Sequence, residues 1–418
     1  MVPIASGSGW IPALVCRLRA VVASRLVWVA LALLVTGKAS AQGLASLPES
    51  LRREWTEVAG AWRTRLDTTG IIGGSLALVR SGEVLFHETN GMADLASGRP
   101  VDEETIFHWA SITKTFTGIA VMQLRDRGLL ELDDPVVDWV PEVRGVYNPF
   151  GSMEDVTLRH LLSHSAGFQS PTFPWAGTED WQPHEPTDWG QLVAMIPYTR
   201  LHFAAGSRYQ YSNPGIVYLG RVIEAITGDV FEAHIEKNIF RPLGMTTAYF
   251  DVTPWHLLER RSNHYFVEDG EVRAGGLDFN TGITVSNGGL NASFHDMARY
   301  LGFLAGAVAP GSLAEGVLDP ESLEEMWTPV VAVGSSNIGA ESMGLTFFVY
   351  DGGKGDRRII GHTGSQRAYY SFIYLDPETG VGTIAAFNTV GISEEPNTRR
   401  VLNETRADVL GRVFPLFR

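Results

Sequence analysis

The chain has 418 residues, a formal net charge of −14, 44% hydrophobic and 19% charged residues. That length and balance can bury a sizeable core as one large domain or two subdomains. The acidic balance argues against a nucleic-acid partner, because phosphate binding asks for a basic face.

Residues 1–41 contain no Asp or Glu but carry Arg17, Arg19 and Arg25, then the apolar run Leu26 to Val35, then Ala39-Ser40-Ala41. A basic stretch, a short apolar core and a small-x-small site form the layout of a secretory signal peptide, so an exported, periplasmic or secreted protein is expected. The run is short of the roughly 20 apolar residues a spanning helix needs, and no stable membrane span is expected after cleavage. The only cysteine, Cys16, lies in this segment, so the expected mature chain, residues 42–418, has no disulfide and no thiol nucleophile.

Trp55, Val58, Trp62 and Leu66 recur at three and four, predicting an amphipathic first helix after Pro48-Glu49-Ser50. From Gly73 the pattern changes. Ser75 to Val79 and Val84 to His87 flank Arg80-Ser81-Gly82-Glu83 and predict a hairpin. Thr105-Ile106-Phe107 then leads to a helical pattern running through Ile119, Met122 and Leu124. Ser111 sits near its start and Lys114 one turn on, so an amine is held beside a hydroxyl. A serine is a poor nucleophile until such a neighbour takes its proton.

Between about residues 129 and 300 the periodicity is mostly helical. His160 and His164 stand four apart, a spacing that could offer two nitrogens to zinc, but the glutamate of a His-Glu-x-x-His helix is missing and no third ligand is marked. Helix-terminal structure is expected there. Phe168 to Pro197 carries Trp175, Trp181 and Trp189, which could line a pocket or fold on one another. Tyr211-Ser212-Asn213-Pro214 opens a further helix, and Ser286-Asn287-Gly288-Gly289-Leu290 opens another. The last third returns to strand: Arg358 to Ser365, Tyr369 to Leu375 and Val381 to Asn388, closed by a helix over Thr398 to Val413.

Strands thus come from both ends and helices fill the middle. The expected fold class is α+β: one antiparallel sheet built from both ends of the chain and flanked by terminal helices, with an inserted, mainly helical subdomain. The sheet part is expected over about 42–110 and 345–418 and the helical part over about 111–344, with chemistry at their junction.

Ser111-x-x-Lys114, Tyr211-x-Asn213 and His362-Thr363-Gly364 stand in this order. With Thr105-x-Phe107, His160 to Gly167, Pro242-Leu243-Gly244-Met245 and Gly289-Leu290-x-x-Ser293-x-x-Asp296-Met297, they make the chain resemble the penicillin-recognising serine hydrolases. The branch is that of class C β-lactamases, D-alanyl-D-alanine carboxypeptidases and related esterases, and the resemblance covers about residues 70 to 390. It implies that Ser111 is acylated and that Lys114 and Tyr211 share the proton work, an ammonium beside a phenol favouring the phenolate base. It also implies an oxyanion hole from the backbone N–H groups of Ser111 and Ser365, and a hydrogen bond from Asn213 to the substrate. Substrate would further meet His362, Thr363 and Gly364, the last admitting it close against a strand edge. No cofactor or metal is implied.

His362 stands where class C β-lactamases usually carry lysine. A mostly neutral group there makes a D,D-peptidase or esterase more expected than an efficient β-lactamase, with Arg367 a candidate carboxylate partner. The expected partner is a small-molecule or peptide acyl amide or ester, peptidoglycan-derived or β-lactam compounds among them. A penicillin- or peptidoglycan-binding protein with negligible turnover, or an acyltransferase, remain the alternatives. Gly-x-Ser-x-Gly is absent, which removes the common α/β-hydrolase reading.

Overall fold

The computed structural model describes residues 47–168, 186–278, 280–336, 338–352, 357–392 and 395–417. Residues 1–52 separate as a unit of their own, of which only the beginning of the first helix is described. The expected signal segment, with Cys16, lies outside the described residues, as do Trp175 and Trp181.

Helix α1 spans Glu49–Thr69, and its Trp55, Val58, Trp62 and Leu66 are buried as the periodicity requires. Strands β1 (Gly73–Arg80) and β2 (Glu83–Asp94) form the expected hairpin. Its two turn residues, Ser81 and Gly82, both have positive φ (49° and 84°), as a turn matching strand twist demands. Strands β3 (Arg99–Pro100) and β4 (Ile106–His108) lead into a single tight turn, Ala110–Ile112, and then helix α2, Thr113–Asp126.

The middle of the chain supplies α3 (Leu158–Leu162) and α4 (Asn213–Thr227). It is mostly helical, as expected, with short strands among the helices. Strands β5 (Tyr249–Phe250), β6 (Tyr265–Glu268) and β7 (Glu271–Ala274) precede α5 (Val285–Gly288), β8 (Leu290–Ser293) and α6 (Phe294–Leu304). Then follow β9 (Val331–Ser336), β10 (Gly339–Met343), β11 (Phe348–Asp351), β12 (Ile359–Gln366), β13 (Tyr369–Asp376), β14 (Val381–Phe387) and β15 (Thr389–Gly391). Helix α7, Thr398–Asp408, continues as a π-helical segment over Val409–Val413, the expected end of the closing helix.

The main sheet has nine antiparallel strands in the order β3-β2-β1-β14-β13-β12-β11-β10-β9. It is built from both ends of the chain, so the α+β class holds. Its second contribution begins at Val331, ahead of the expected residue 345. Two small sheets, β15-β6-β7 and β4-β8-β5, join strands from the expected sheet parts, β4 and β15, to short strands of the middle region.

Helices cover both faces of the main sheet. On one face Trp55 of α1 stacks on Phe86 at 5.3 Å, and Arg406 of α7 donates to the Tyr374 hydroxyl at 2.8 Å. Arg65 and Asp408 tie these two helices at 2.6 Å. On the other face Phe294 of α6 stacks on His87 at 4.9 Å. The side chains of His362 and Ser371 belong to this second face, and it is where the Ser111 turn lies.

Candidate active site

The tight turn carrying Ser111 is held from several directions. Ala110 adopts a left-handed φ of 49°, unusual for a residue with a Cβ. The Trp109 N–H donates to the Leu290 carbonyl at 2.8 Å and its indole N–H to the Ala292 carbonyl at 2.9 Å. Thr113 Oγ1 donates to the Ala110 carbonyl at 2.6 Å and accepts the Leu290 N–H at 3.0 Å. These bonds lock the turn onto β8. Ser111 itself remains partly open to solvent.

Lys114, wholly buried, places Nζ 2.9 Å from Ser111 Oγ and 2.7 Å from the Asn287 carbonyl oxygen. The same Nζ lies 5.0 Å from the centre of the Tyr211 ring. The Tyr211 hydroxyl also interacts with the Ser111 side chain. The structure therefore gathers Ser111, Lys114 and Tyr211 from three separate elements of the sequence.

Burial sets the protonation of this group. It holds the Lys114 amine well below its ordinary range and pushes the Tyr211 phenol up. An ammonium beside a phenolate, expected from sequence, would leave two charges in a site that desolvates both. Burial alone therefore favours the neutral pair, an amine beside a phenol.

Two histidines flank Tyr211. His164 packs its ring on the phenol with centroids 4.4 Å apart, and the ring of His362 lies 6.1 Å from it. His362 is 1% exposed; its Nδ1–H donates to the Thr363 carbonyl at 2.6 Å, leaving Nε2 a buried acceptor with no hydrogen-bond partner. Burial first, and the nearby Lys114 second, bring its pKa down to about 3. His362 is thus a neutral wall of the site.

The remaining expected residues divide. Asn213 is the first residue of α4, whose cap is Ser212, and its Oδ1 is buried without a partner, an acceptor free for a substrate N–H. Thr363 and Ser365 point their side chains to the opposite sheet face, so any part they take in the site is through their backbone. Arg367 is exposed in the β12–β13 turn, at a left-handed φ of 55°, where its charge is felt at His264.

Gly364 packs against the Ser111 turn. A Cβ there would stand 2.1 Å from the Trp109 carbonyl oxygen and 2.3 Å from Ser371 Oγ, so the missing side chain makes room for that turn. Strand β12 is not an edge strand. Strand β11 pairs only with Ile359, Ile360 and Gly361, however, so His362 to Gln366 have a ladder partner on the β13 side alone. A local edge opens beside Ser111.

Three contributors escape sequence reasoning. The Asn287 carbonyl is a backbone group and has no side-chain signature, although the glycine-rich Ser286 to Gly289 stretch marks its place. Phe348 meets His362 at a tilt, centroids 5.2 Å apart, and Tyr209 edge-on at 6.3 Å, giving this region aromatic surface. His164 stands in the His160 to Gly167 block, but sequence reasoning gives it no task beyond a His-x-x-x-His pair. The structure parts that pair: His160 Nδ1 accepts the Thr157 N–H at 3.2 Å, while His164 Nδ1 accepts the Ser212 N–H at 3.1 Å.

A nine-stranded antiparallel sheet with a serine-lysine-tyrosine group at the N-terminus of a buried helix defines a serine hydrolase fold of the penicillin-recognising type. Residues 35–406 match the family described as Beta-lactamase, and the chain belongs to that family of serine hydrolases. Esterase EstB of Burkholderia gladioli is 34% identical over 187 residues, 43% of this chain and 47% of that protein. Penicillin-binding protein 4* of Bacillus subtilis is 29% identical over 194 residues, 46% of this chain and 40% of the relative. The chain thus spans about half the length of these curated relatives or less. The octameric penicillin-binding protein homologue from Pyrococcus abyssi superposes with a TM-score of 0.70 at 29% identity, over 85% of this chain and 77% of that one.

Proposed function

We propose that this protein hydrolyses amide or ester bonds through an acyl-enzyme on Ser111, acting as a D,D-peptidase or esterase-like enzyme more than as an efficient β-lactamase. The observation that carries the reading is the 2.9 Å approach of the buried Lys114 amine to the Ser111 hydroxyl. Ser111 Oγ bonds to the acyl carbon as its proton passes to Lys114 Nζ. The bond to the leaving group then breaks. Tyr211 gives that group its phenolic proton and is reprotonated from Lys114. Water repeats the sequence on the ester, releasing the acid and restoring the Ser111 hydroxyl.

The backbone N–H groups of Ser111 and Ser365 hold the developing oxyanion, where loss of one donor typically costs about 100- to 1,000-fold in rate. Asn213 receives the acyl side of the substrate, and the local edge of β12 from His362 to Gln366 borders it. Beside this edge lies neutral, aromatic surface: Tyr209, Phe348, His362. A β-lactam carboxylate therefore meets no fixed charge at residue 362, and Arg367 is the cation assigned to anionic substrates. The name of the Burkholderia gladioli relative supports the esterase side of this reading.

Export is proposed on the layout of residues 1–41 alone; among the described residues no helix is long and apolar enough to cross a membrane. The test uses the full chain and Ser111→Ala with p-nitrophenyl esters, D-alanyl-D-alanine peptides, a cephalosporin and a fluorescent fluorophosphonate. Ser111→Ala is expected to abolish labelling and to lower kcat/KM by at least about 10⁴-fold. Unchanged turnover in Ser111→Ala would refute the nucleophile. A cephalosporin kcat/KM far above the other substrates would refute the substrate reading, and persistent acylation without turnover would identify a binding protein.

A further inference from the structure

His164 is buried, 1% exposed, and belongs to none of the three sequence groups above, yet it touches the Tyr211 segment in three ways. Its backbone carbonyl accepts the Gln210 N–H at 2.8 Å, one residue before Tyr211. Its Nδ1 accepts the Ser212 N–H at 3.1 Å, one residue after. Its ring lies on the phenol between them, centroids 4.4 Å apart and planes 35° from parallel.

The backbone that permits this is itself unusual. His164 has a left-handed φ of 53°, a conformation that short polar side chains tolerate far better than branched or bulky apolar ones. It follows the last turn of α3, its N–H bonded to the Leu161 carbonyl at 3.2 Å, so the imidazole is carried on a fixed platform. Accepting at Nδ1 places the ring proton on Nε2, which is buried and has no hydrogen-bond partner. A neutral ring with this proton position adds no positive charge beside Lys114, in keeping with the depression of its pKa by burial.

We propose that His164 is a positioning residue for the proton relay: it clamps the backbone on both sides of Tyr211 and seats the phenol against Ser111 and Lys114. The inference rests on the reading of Tyr211 as part of that relay. The clamp explains why a tyrosine in a loop, outside the helix that Ser212 caps, can be held with the accuracy proton transfer requires. Ser212 performs two tasks at once, since its N–H is held by His164 while its Oγ caps α4 through the Gly215 N–H at 3.2 Å.

The test compares His164→Phe, which keeps a ring but removes the acceptor, with His164→Asn, whose side-chain oxygen takes the place of Nδ1 and which accepts a left-handed backbone. Each is made in the full chain and in a Tyr211→Phe background, and kcat and KM for a p-nitrophenyl ester are measured. His164→Phe is expected to lower kcat about 30-fold or more with KM changed less than about threefold, and His164→Asn to recover most of that loss. In the Tyr211→Phe background either substitution is expected to change kcat less than about twofold. Equal losses in both backgrounds, a kcat unaffected by His164→Phe, or a folded His164→Asn as poor as His164→Phe would overturn the clamp. Full activity in Tyr211→Phe alone would instead overturn the relay on which it rests.

Discussion

Lys114 bears the cost of its own function. In the unfolded chain its amine titrates near 10.4, whereas burial depresses the folded value, so below that pH the unfolded state holds the extra proton and folding loses stability as pH falls. Lys114→Met removes this penalty while removing the base. The variant is expected to lose activity yet gain about 0.5–2 kcal/mol at pH 7, a gain that shrinks as the pH approaches 10. Urea denaturation at both pH values checks it; a variant less stable than the parent at pH 7 would contradict the buried neutral amine. Sequence showed Ser111, Lys114, Tyr211 and His362 because their chemistry resides in side chains at telling intervals. Their protonation was not legible, since burial is a property of the folded neighbourhood. Neither was the acceptor that steadies Lys114, the Asn287 carbonyl, since every residue possesses one.

Among the elements, β12 does the most to form the site, and its closest approach is at Gly364. Gly364→Ala would push a methyl group into the Trp109 carbonyl and Ser371 Oγ. The expected cost is about 1–3 kcal/mol of stability, with a fall in kcat as the Ser111 turn is displaced. A Gly364→Ala protein with unchanged urea midpoint and kcat would show that turn and strand are not in contact. The hairpin β1–β2 was legible because Ser81-Gly82 supplies the turn chemistry between two apolar runs. Strands β9 and β10 were not, because Val331 to Met343 mixes glycine and serine with half-exposed positions and shows no clean alternation. The strands of the two small sheets run only two to four residues, too short for periodicity to register.

The whole molecule stores a second set of uncharged bases. Burial brings His87 and His264 to about 4 and His108 and His362 to about 3, all below the ordinary 6.5. Their stabilisation is intact above about pH 6.5 and is lost as pH falls toward 3–4, each group contributing up to about 1.4 kcal/mol per pH unit in that window. The urea midpoint is therefore expected to be flat from pH 7 to 8 and to drop steeply between pH 6 and 4.5; a midpoint unchanged at pH 5 would contradict buried neutral imidazoles. The sheet order carries one more consequence. Gly74 of β1 waits for Phe387 of β14, about three hundred residues later in the chain, and the strand that braces Ser111 is also made near the end. A nascent chain on the ribosome thus exposes its nucleophile about 250 residues before the strand that braces it is made, and catalytic competence waits for that strand.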